Sequence, residues 1–463
     1  MSTAKTKNLT EGPIFSQLLL FGIPLMLTGM LQLLYNLADH VVVGKFSGDP
    51  YALAAVGTTA ALTNITVNLL LGVSAGACVR VAQSFGADDK SRLERAVHTA
   101  ISFSLLGGIV TGAIVFLIAR PALTAMGTSS LFIDKSVLYM QIIALGIPAS
   151  AVYNFGAGVL RSVGDSKTPL YILSATGILN VVLNMVFVIG FGMSVDGVAI
   201  ATIASQYMSA IVVIFVLIKR KNEPYRLKIR QLKIDGAILA KMLRFGIPAG
   251  MQTSLFSISN MLLTVAVNTF PPTTVTAKTI SGNIDGFLYV ILQSYHLTSM
   301  TFTAQNYGAR RLDRVKKSTL YSLLQVTLIG VTLGLLISSL GEVLAKLFIE
   351  SGSPDTELIV ERVMEALNVT VRFYFLCGIM ETVSGTLRGL GYSLSPMILT
   401  IGGICGLRIL WIIAFFPMEA FNSLGGLYLC YPISWSVTAL VLSVLLISAY
   451  RKAKLQFSDT PKI

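Results

Sequence analysis

The chain consists of long apolar runs separated by short polar segments. A membrane helix needs about 20 apolar residues to cross a hydrocarbon core of about 30 Å. On that rule, the pattern predicts twelve spans, at residues 15–38, 53–78, 97–119, 137–157, 169–192, 196–218, 237–268, 276–303, 319–345, 363–386, 396–416 and 424–449. Pro24, Pro148 and Pro248 fall inside these runs and indicate kinks, unless the helices end there. The pattern predicts an all-α polytopic membrane protein.

Composition excludes a water-soluble globular protein. Of the 463 residues, 54% are hydrophobic and 12% are charged, whereas soluble domains average roughly 25% charged residues. The four cysteines form no CxxC pair, and the three histidines are scattered. The sequence therefore indicates neither a disulfide framework nor a metal site. An intramembrane enzyme would need a clustered acid, base and nucleophile, and none is visible, so we expect no enzymatic activity and no cofactor.

Basic residues indicate the orientation in the membrane. Lys and Arg outnumber Asp and Glu by 35 to 22, and most of the basic residues fall in the two termini and in alternate loops. Because such residues are retained on the cytoplasmic side, we expect a multi-pass protein of the cytoplasmic membrane with both termini in the cytoplasm. The net charge of +13 is thus mainly a signal of topology, and no nucleic-acid partner is expected. The basic run 219–233 is available to anionic lipid heads, although ordinary positive-inside placement also accounts for it.

Internal similarity indicates that the chain is two copies of one unit. Three motifs recur in the same order at nearly one offset: Phe21-Gly22-Ile23-Pro24 as Phe245-Gly246-Ile247-Pro248, Gln83-Ser84-Phe85-Gly86-Ala87 as Gln305-Asn306-Tyr307-Gly308-Ala309, and Leu160-Arg161-Ser162-Val163-Gly164 as Leu387-Arg388-Gly389-Leu390-Gly391. The repeat predicts an amino-terminal lobe (1–218), a basic cytoplasmic linker (219–236) and a carboxy-terminal lobe (237–463). Each lobe has six spans, so both enter the membrane in the same orientation, related by a pseudo-twofold axis along the membrane normal.

These repeated motifs, with Tyr35-Asn36-Leu37-Ala38-Asp39 and Asn180-Val181-Val182-Leu183-Asn184, resemble those of the multidrug and toxic compound extrusion (MATE) family. The resemblance extends from about Ile14 to Arg451. It implies two six-helix bundles and a secondary antiporter. Such a protein exports organic cations or amphipathic drugs in exchange for H+ or Na+ by alternating access. The sequence departs from many members at Asn184, where they carry a carboxylate, and in the absence of an acid between Gln252 and Asn260.

Asp39 is the first candidate for ion coupling. An ionised side chain in hydrocarbon costs a few kcal/mol at least, so such residues are functional candidates by default. Tyr35 and Asn36 lie one turn back on the same helix face. The resemblance implies that Asp39 takes part in ion coupling and that Asn180 and Asn184 help to build its site. The alternative is that Asp39 is a helix-end group at the water interface beside Lys45.

Glu381 marks a second candidate site, for substrate or a second coupling ion. We group Asp285, Gln252 and Asn260 with it. The alternative for Glu381 is a structural ion pair, with Arg408 the more suitable partner and Arg372 out of phase on the same helix. His40 and His296 have reference pKa values close to neutral. A lone histidine near a helix end is nevertheless more often an interfacial group.

A second function remains open from the sequence. A lipid-linked oligosaccharide or lipid flippase of the same broad superfamily tends to have extra spans or a strongly cationic cavity. Here only Arg372 and Arg408 are candidate buried cations, which favours the drug antiporter. The expected partners are small organic cations or drugs and membrane lipid, and we expect a monomer.

Overall fold

A computed structural model describes residues 8–349 and 354–458, and every regular element in these two ranges is helical. The α-helices are α1 (Ile14–Phe46), α2 (Ala52–Gly86), α3 (Lys90–Ala125), α4 (Ile133–Ser162), α5 (Lys167–Asn184), α6 (Val195–Lys219), α7 (Gly236–Val267), α8 (Pro272–Gly308), α9 (Leu312–Lys346), α10 (Thr356–Thr370), α11 (Tyr374–Gly389), α12 (Leu394–Thr400), α13 (Leu407–Leu410), α14 (Leu424–Tyr428) and α15 (Cys430–Ser458). The all-α prediction is confirmed.

Within the described ranges, ten helical segments are long and apolar enough to cross a membrane, by length and composition. Some are built from consecutive elements: α5 continues into a π-helical turn at Met185–Gly190, and α12 is joined to α13 by another at Ile401–Gly406. The α7 and α8 helices, of 32 and 37 residues, cover the other two predicted spans. They are interrupted more often by Ser, Thr, Asn and Gln. In lipid a continuous helix satisfies its own backbone hydrogen bonds.

The prolines behave as residues inside membrane helices. Pro24, Pro148 and Pro248 lie within α1, α4 and α7, so the alternative that these helices end there is wrong. Pro121 also lies inside a helix, because α3 continues to Ala125. Interior prolines are tolerated in membrane helices because neighbouring groups satisfy the freed carbonyl.

Residue contacts divide the chain into two compact units. Leu27–Gly250 forms the body of the first unit, and Leu9–Met26 belongs with the residues from Met251 onward in the second. The division therefore falls inside α1 and inside α7, two residues after Pro24 and after Pro248. The lobe boundaries at 218 and 237 follow the sequence repeat instead, and they remain a prediction about the repeat.

The first half of α1 packs within the second unit. Phe21 meets Phe302 of α8 edge-on, with ring centroids 5.9 Å apart. The backbone N–H of Leu9 donates to Gln305 Oε1 over 3.1 Å, and Gln325 Nε2 of α9 donates to the carbonyl of Phe15 over 2.8 Å. Apolar and polar contacts together fix this half-helix against α8 and α9.

The first half of α7 packs within the first unit by close backbone approach. A Cβ atom at Gly72 would overlap the backbone of Gly250, and one at Gly76 would overlap the carbonyl oxygen of Met242. Glycines let membrane helices approach closely, where dispersion contacts replace the hydrophobic effect. Substituting either glycine requires α2 and α7 to move apart.

The duplication is visible in two turns. Asp88 and Arg310, which follow the two Gly-Ala pairs, both have left-handed backbones, with φ of 52° and 56°. The glycines that end the two Leu-Arg-x-x-Gly motifs, Gly164 and Gly391, have φ of 90° and 99°. This conformation favours glycine because it has no Cβ atom. Matched motifs thus form matched turns.

Candidate functional site

The first polar cluster lies between α1 and α5 in the first unit. Asn184 Nδ2 donates to Asp39 Oδ1 over 2.5 Å and also lies 3.4 Å from Asn180 Oδ1. Asn180 and Asn184 are buried, while Asp39 is half-buried. Asp39 lies seven residues before the end of α1 at Phe46. The structure therefore brings together three of the five residues proposed for ion coupling.

Tyr35 belongs to the same helix contact, one turn before Asp39. Its hydroxyl donates to the carbonyl of Ser174 on α5 over 3.3 Å, and its ring lies against Gly177, where a Cβ atom would overlap it. Asn36 is exposed and has no contact with this cluster among the described hydrogen bonds. Tyr35 therefore positions α1 against α5, and the role of Asn36 stays a prediction.

Sequence reasoning missed Tyr139 of α4, which is partly buried and packs against the apolar cluster around Val42 and Val56. It lies one turn after Lys135 on α4. Lys135 Nζ donates to Asp49 Oδ2 over 2.6 Å, and Ser194 Oγ donates to the same carboxylate oxygen over 3.0 Å. These bonds tie the α1–α2 loop to α4 and to the start of α6. No sequence pattern signals this arrangement, because the residues lie on separate segments.

The second cluster joins α7, α8 and α11 within the second unit. His296 Nδ1 lies 2.9 Å from Glu381 Oε2. Arg388 Nη1 contacts His296 Nε2 over 3.2 Å, and Arg388 Nη2 donates to Gln252 Oε1 over 2.8 Å. All four residues are buried, with exposed fractions between 4% and 8%. We refer to Gln252, His296, Glu381 and Arg388 as the buried quartet.

The contact with Arg388 involves Nε2 of His296. A guanidinium has only donors, so Nε2 of His296 must accept from Arg388 and carries no hydrogen. His296 Nδ1 lies 2.9 Å from Glu381 Oε2, but the two atoms are not aligned as a hydrogen bond. The charges of Glu381 and Arg388 are opposite, so the cluster holds a cation and an anion together. A buried charge is tolerated when it is paired in this way.

Three expectations for this cluster are corrected. The partner of Glu381 is His296, whereas Arg408 instead contacts Asn260. His296 is buried, so the interfacial interpretation is wrong for it, although His40 is exposed. Arg372 is exposed and Arg388 is buried, so the buried cations of this unit include Arg388 and Arg408.

The other proposed residues of the second site lie apart from Glu381. Gln252 joins it through Arg388, but Asn260 Oδ1 accepts from Arg408 Nη1 over 3.0 Å. Asp285 is half-buried on α8, two turns after Lys278, whose Nζ donates to Thr264 Oγ1 over 2.9 Å. The four residues thus fall into three groups rather than one site.

Ionisable and amide side chains inside membrane-spanning helices are expensive, and they mark ion and substrate pathways. Among the described residues, no group of three or more His, Cys, Asp or Glu side chains is arranged to hold a metal ion. The fold and these clusters define a polytopic membrane transporter. The MatE family model matches residues 24–186 and 248–413. The chain belongs to the MatE family, whose members are membrane transporters and not enzymes, as the motifs predicted.

Relatives extend over nearly the whole chain. The probable multidrug resistance protein YoeA of Bacillus subtilis strain 168 is 28% identical over 445 residues, covering 94% of each chain. The multidrug export protein MepA of Staphylococcus aureus strain MRSA252 is 23% identical over 437 residues, covering 93% of each.

Solved structures share the fold. A crystal structure of a MATE protein in complex with MaL6 has a TM-score of 0.89 at 23% identity and covers 98% of this chain and 100% of its own. An outward-facing MATE family transporter of the MOP superfamily has a TM-score of 0.87 at 23% identity, with the same coverage. These structures have the two-lobe, twelve-helix fold that the sequence predicted.

Proposed function

We propose that this protein is a secondary active antiporter that exports organic cations or amphipathic drugs in exchange for H+ or Na+. The observation that carries the proposal is the contact of Asp39 with Asn184, which places a carboxylate among amide groups between two membrane-spanning helices. The relatives named as multidrug resistance and export proteins support the class of substrate. Export proceeds by alternating access of the two lobes.

Asp39 carries the exchangeable ion in this proposal. Its neighbours in the cluster, Asn180 and Asn184, are neutral, so one proton or one Na+ balances the charge of the site. Asn184 Oδ1 is buried and has no hydrogen-bond partner among the described residues. A buried oxygen without a donor is costly, and a sodium ion or the hydrogen of a protonated Asp39 would satisfy it. Tyr35 and Asn36 complete the proposed ion site.

The second unit supplies the proposed substrate or second coupling site. Glu381 is held in the buried quartet with Gln252, while Asp285 lies on α8 and Asn260 lies on α7. A cation can bind Glu381 only if its interaction with the carboxylate is stronger than the contact with His296 that it replaces. We propose these four residues as contacts of the exported molecule or of a second ion.

The remaining parts of the proposal concern placement. The basic residues support a location in the cytoplasmic membrane with both termini in the cytoplasm. The repeat supports lobes at 1–218 and 237–463 joined by the linker 219–236. We propose a monomer that needs no cofactor, whose partners are drugs and membrane lipid rather than nucleic acid.

The test is efflux of a fluorescent organic cation from proteoliposomes, with a pH gradient and a sodium gradient imposed separately. The native protein is expected to respond to one of the two gradients. Asp39→Asn keeps the size of the side chain and removes its charge, so gradient-driven efflux should fall to the level of empty vesicles. Asp134→Asn, at an exposed carboxylate at the start of α4, is the matched control and should transport as the native protein does.

Unchanged efflux in folded Asp39→Asn protein would refute the role of this carboxylate. Loss of efflux in both variants would show that the assay reports expression or folding instead. If folded native protein moves the dye under neither gradient but moves a fluorescent lipid-linked oligosaccharide between leaflets, the flippase function replaces the antiporter.

A further inference from the structure

Arg408 is a buried cation whose contacts are all with neutral groups. It lies in the apolar segment Leu394–Phe415 and is 5% exposed. Within the described ranges, Nη1 donates to Asn260 Oδ1 over 3.0 Å, Nε donates to Ser434 Oγ over 3.4 Å, and the guanidinium carbon lies 4.2 Å from the centre of the Tyr431 ring. These contacts fix the position of the guanidinium but leave its charge unbalanced.

Neither acid of the second candidate site, Glu381 or Asp285, forms an ion pair with Arg408. Glu381 Oε2 lies 2.9 Å from His296 Nδ1, and Asp285 of α8 lies outside ion-pair distance of every described cation. No described carboxylate lies within ion-pair distance of Arg408. A buried charge without a counter-charge costs several kcal/mol even in real proteins. Such a residue in a membrane helix marks a functional site by default.

The repeat shows what this site corresponds to. Asn260 of α7 corresponds to Asn36 of α1, and Arg408 of α13 corresponds to Val181 of α5, as the offsets of the repeated motifs require. The contact of Asp39 with Asn184 and the contact of Asn260 with Arg408 each join the first helix of a repeat to its fifth. In the first unit this helix pair holds the carboxylate of Asp39, whereas in the second it holds a guanidinium. Equivalent helix pairs carry opposite charges.

We propose that Arg408 binds a carboxylate of the transported molecule, so that the substrates of this protein include amphipathic organic acids and zwitterions. Asn260 is exposed, so a ligand can reach the guanidinium from the side of α7. A carboxylate there forms charge-assisted hydrogen bonds with Arg408 and accepts from the Asn260 amide, while its apolar part packs on Tyr431. This inference rests on the proposed transport function and concerns its substrates.

The test compares a rhodamine dye that has a free carboxylate with the methyl ester of the same dye. Binding of each dye to the full-length protein is measured by fluorescence anisotropy in nanodiscs of phosphatidylcholine, with no ion gradient. The native protein is expected to prefer the carboxylate dye. In Arg408→Gln, the ratio of the two affinities should fall about tenfold or more, as expected for loss of a hydrogen bond to a charged group. Arg408→Lys should keep part of the preference.

Arg372→Gln is the matched control, because this exposed arginine lies in the same unit and contacts Ser338 Oγ at 3.5 Å. It should leave the binding of both dyes unchanged. If Arg408→Gln does not fold, Asn260→Asp is the second variant. It places a carboxylate beside Arg408, which should compete with the ligand and reduce the same ratio.

The outcomes separate this inference from the proposed function. An equal effect of Arg408→Gln on both dyes, or a native protein without preference, overturns the inference even if ion-driven efflux is found. If Arg408→Gln lowers the ratio of the two dye affinities only in nanodiscs that contain an acidic phospholipid, Arg408 is assigned to a lipid headgroup. That result also overturns the inference. A tenfold fall in neutral nanodiscs supports the inference even if neither gradient drives transport, in which case only the antiport proposal fails.

Discussion

The charge balance of the buried quartet should be measurable as a coupling between Glu381 and Arg388. These residues do not touch, but His296 lies between them, 2.9 Å from Glu381 Oε2 and 3.2 Å from Arg388 Nη1. Glu381→Gln keeps the shape of the side chain and leaves Arg388 without its counter-charge. Removing one partner of a buried ionic network costs about 3–5 kcal/mol. Arg388→Met should cost a similar amount, because it leaves the carboxylate uncompensated.

The double variant is the informative one. With both charges removed, neither is left buried alone, so the loss in the unfolding free energy should be smaller than the sum of the single losses by about 0.5–3 kcal/mol. The assay is equilibrium unfolding in detergent micelles, followed by tryptophan fluorescence. Both tryptophans, Trp411 and Trp435, lie in the second unit.

An exposed pair supplies the control. Lys228 Nζ lies 2.6 Å from Glu94 Oε1, with side chains 42% and 37% exposed. Because water screens such a pair, removing it should change stability by about 0–1 kcal/mol. This pair lies in the first unit, so its unfolding is followed by circular dichroism. If Glu381→Gln costs no more than Glu94→Gln, or if the losses at Glu381 and Arg388 simply add, the reasoning about charge balance is wrong.

Two further predictions concern the first unit. Gly177→Ala should destabilise the protein by about 1–3 kcal/mol in thermal unfolding, because the new Cβ atom overlaps the Tyr35 ring. Gly190→Ala is the control and should not destabilise it, because nothing lies within 4 Å of the added atom. Equal effects of the two substitutions would contradict the packing argument. Lys135 lowers the pKa of Asp49 through their hydrogen bond, so the folded state holds fewer protons than the unfolded state there. The pair therefore adds stability above the ordinary range of an aspartate, about pH 4, and loses it as the pH falls through the lowered value. Lys135→Met should thus destabilise the protein more at about pH 7 than at about pH 3, and a cost independent of pH would contradict the pairing.

Hydropathy was sufficient to predict most of the fold, for a physical reason. Inside lipid every backbone polar group must find its partner locally, so a long apolar run is nearly always a helix. The predicted span 97–119 and the helix α3 agree in this way, although the helix extends beyond the span at both ends. Helix ends were harder to predict, because a membrane helix can continue through a proline. The α3 helix continues past Pro121 to Ala125.

The sites were predictable only where one residue carries the signal. Asp39 stands out because acids are rare in apolar helices, and the structure places it beside Asn184 as the motifs implied. The partner of Glu381 was not predictable, because α8 and α13 both supply basic residues and only packing decides between His296 and Arg408. The repeat held a usable signal, because Arg388 recurs in the first copy as Arg161, whereas Glu381 corresponds to Asn154. The second copy therefore has an acid that the first lacks, and the partner of that acid had to be sought within the second copy.

The division of α1 and α7 between the two units has a consequence for how such a chain arose. A single repeat on its own would hold a first helix whose leading half belongs to another bundle, and its own bundle would lack that half. Two identical copies would each supply what the other lacks, as in a dimer that exchanges an identical element. The duplicated chain keeps that exchange within one polypeptide, where each half-helix is tethered to the bundle that needs it. Joining two such copies in one chain replaces a concentration-dependent association by an intramolecular one.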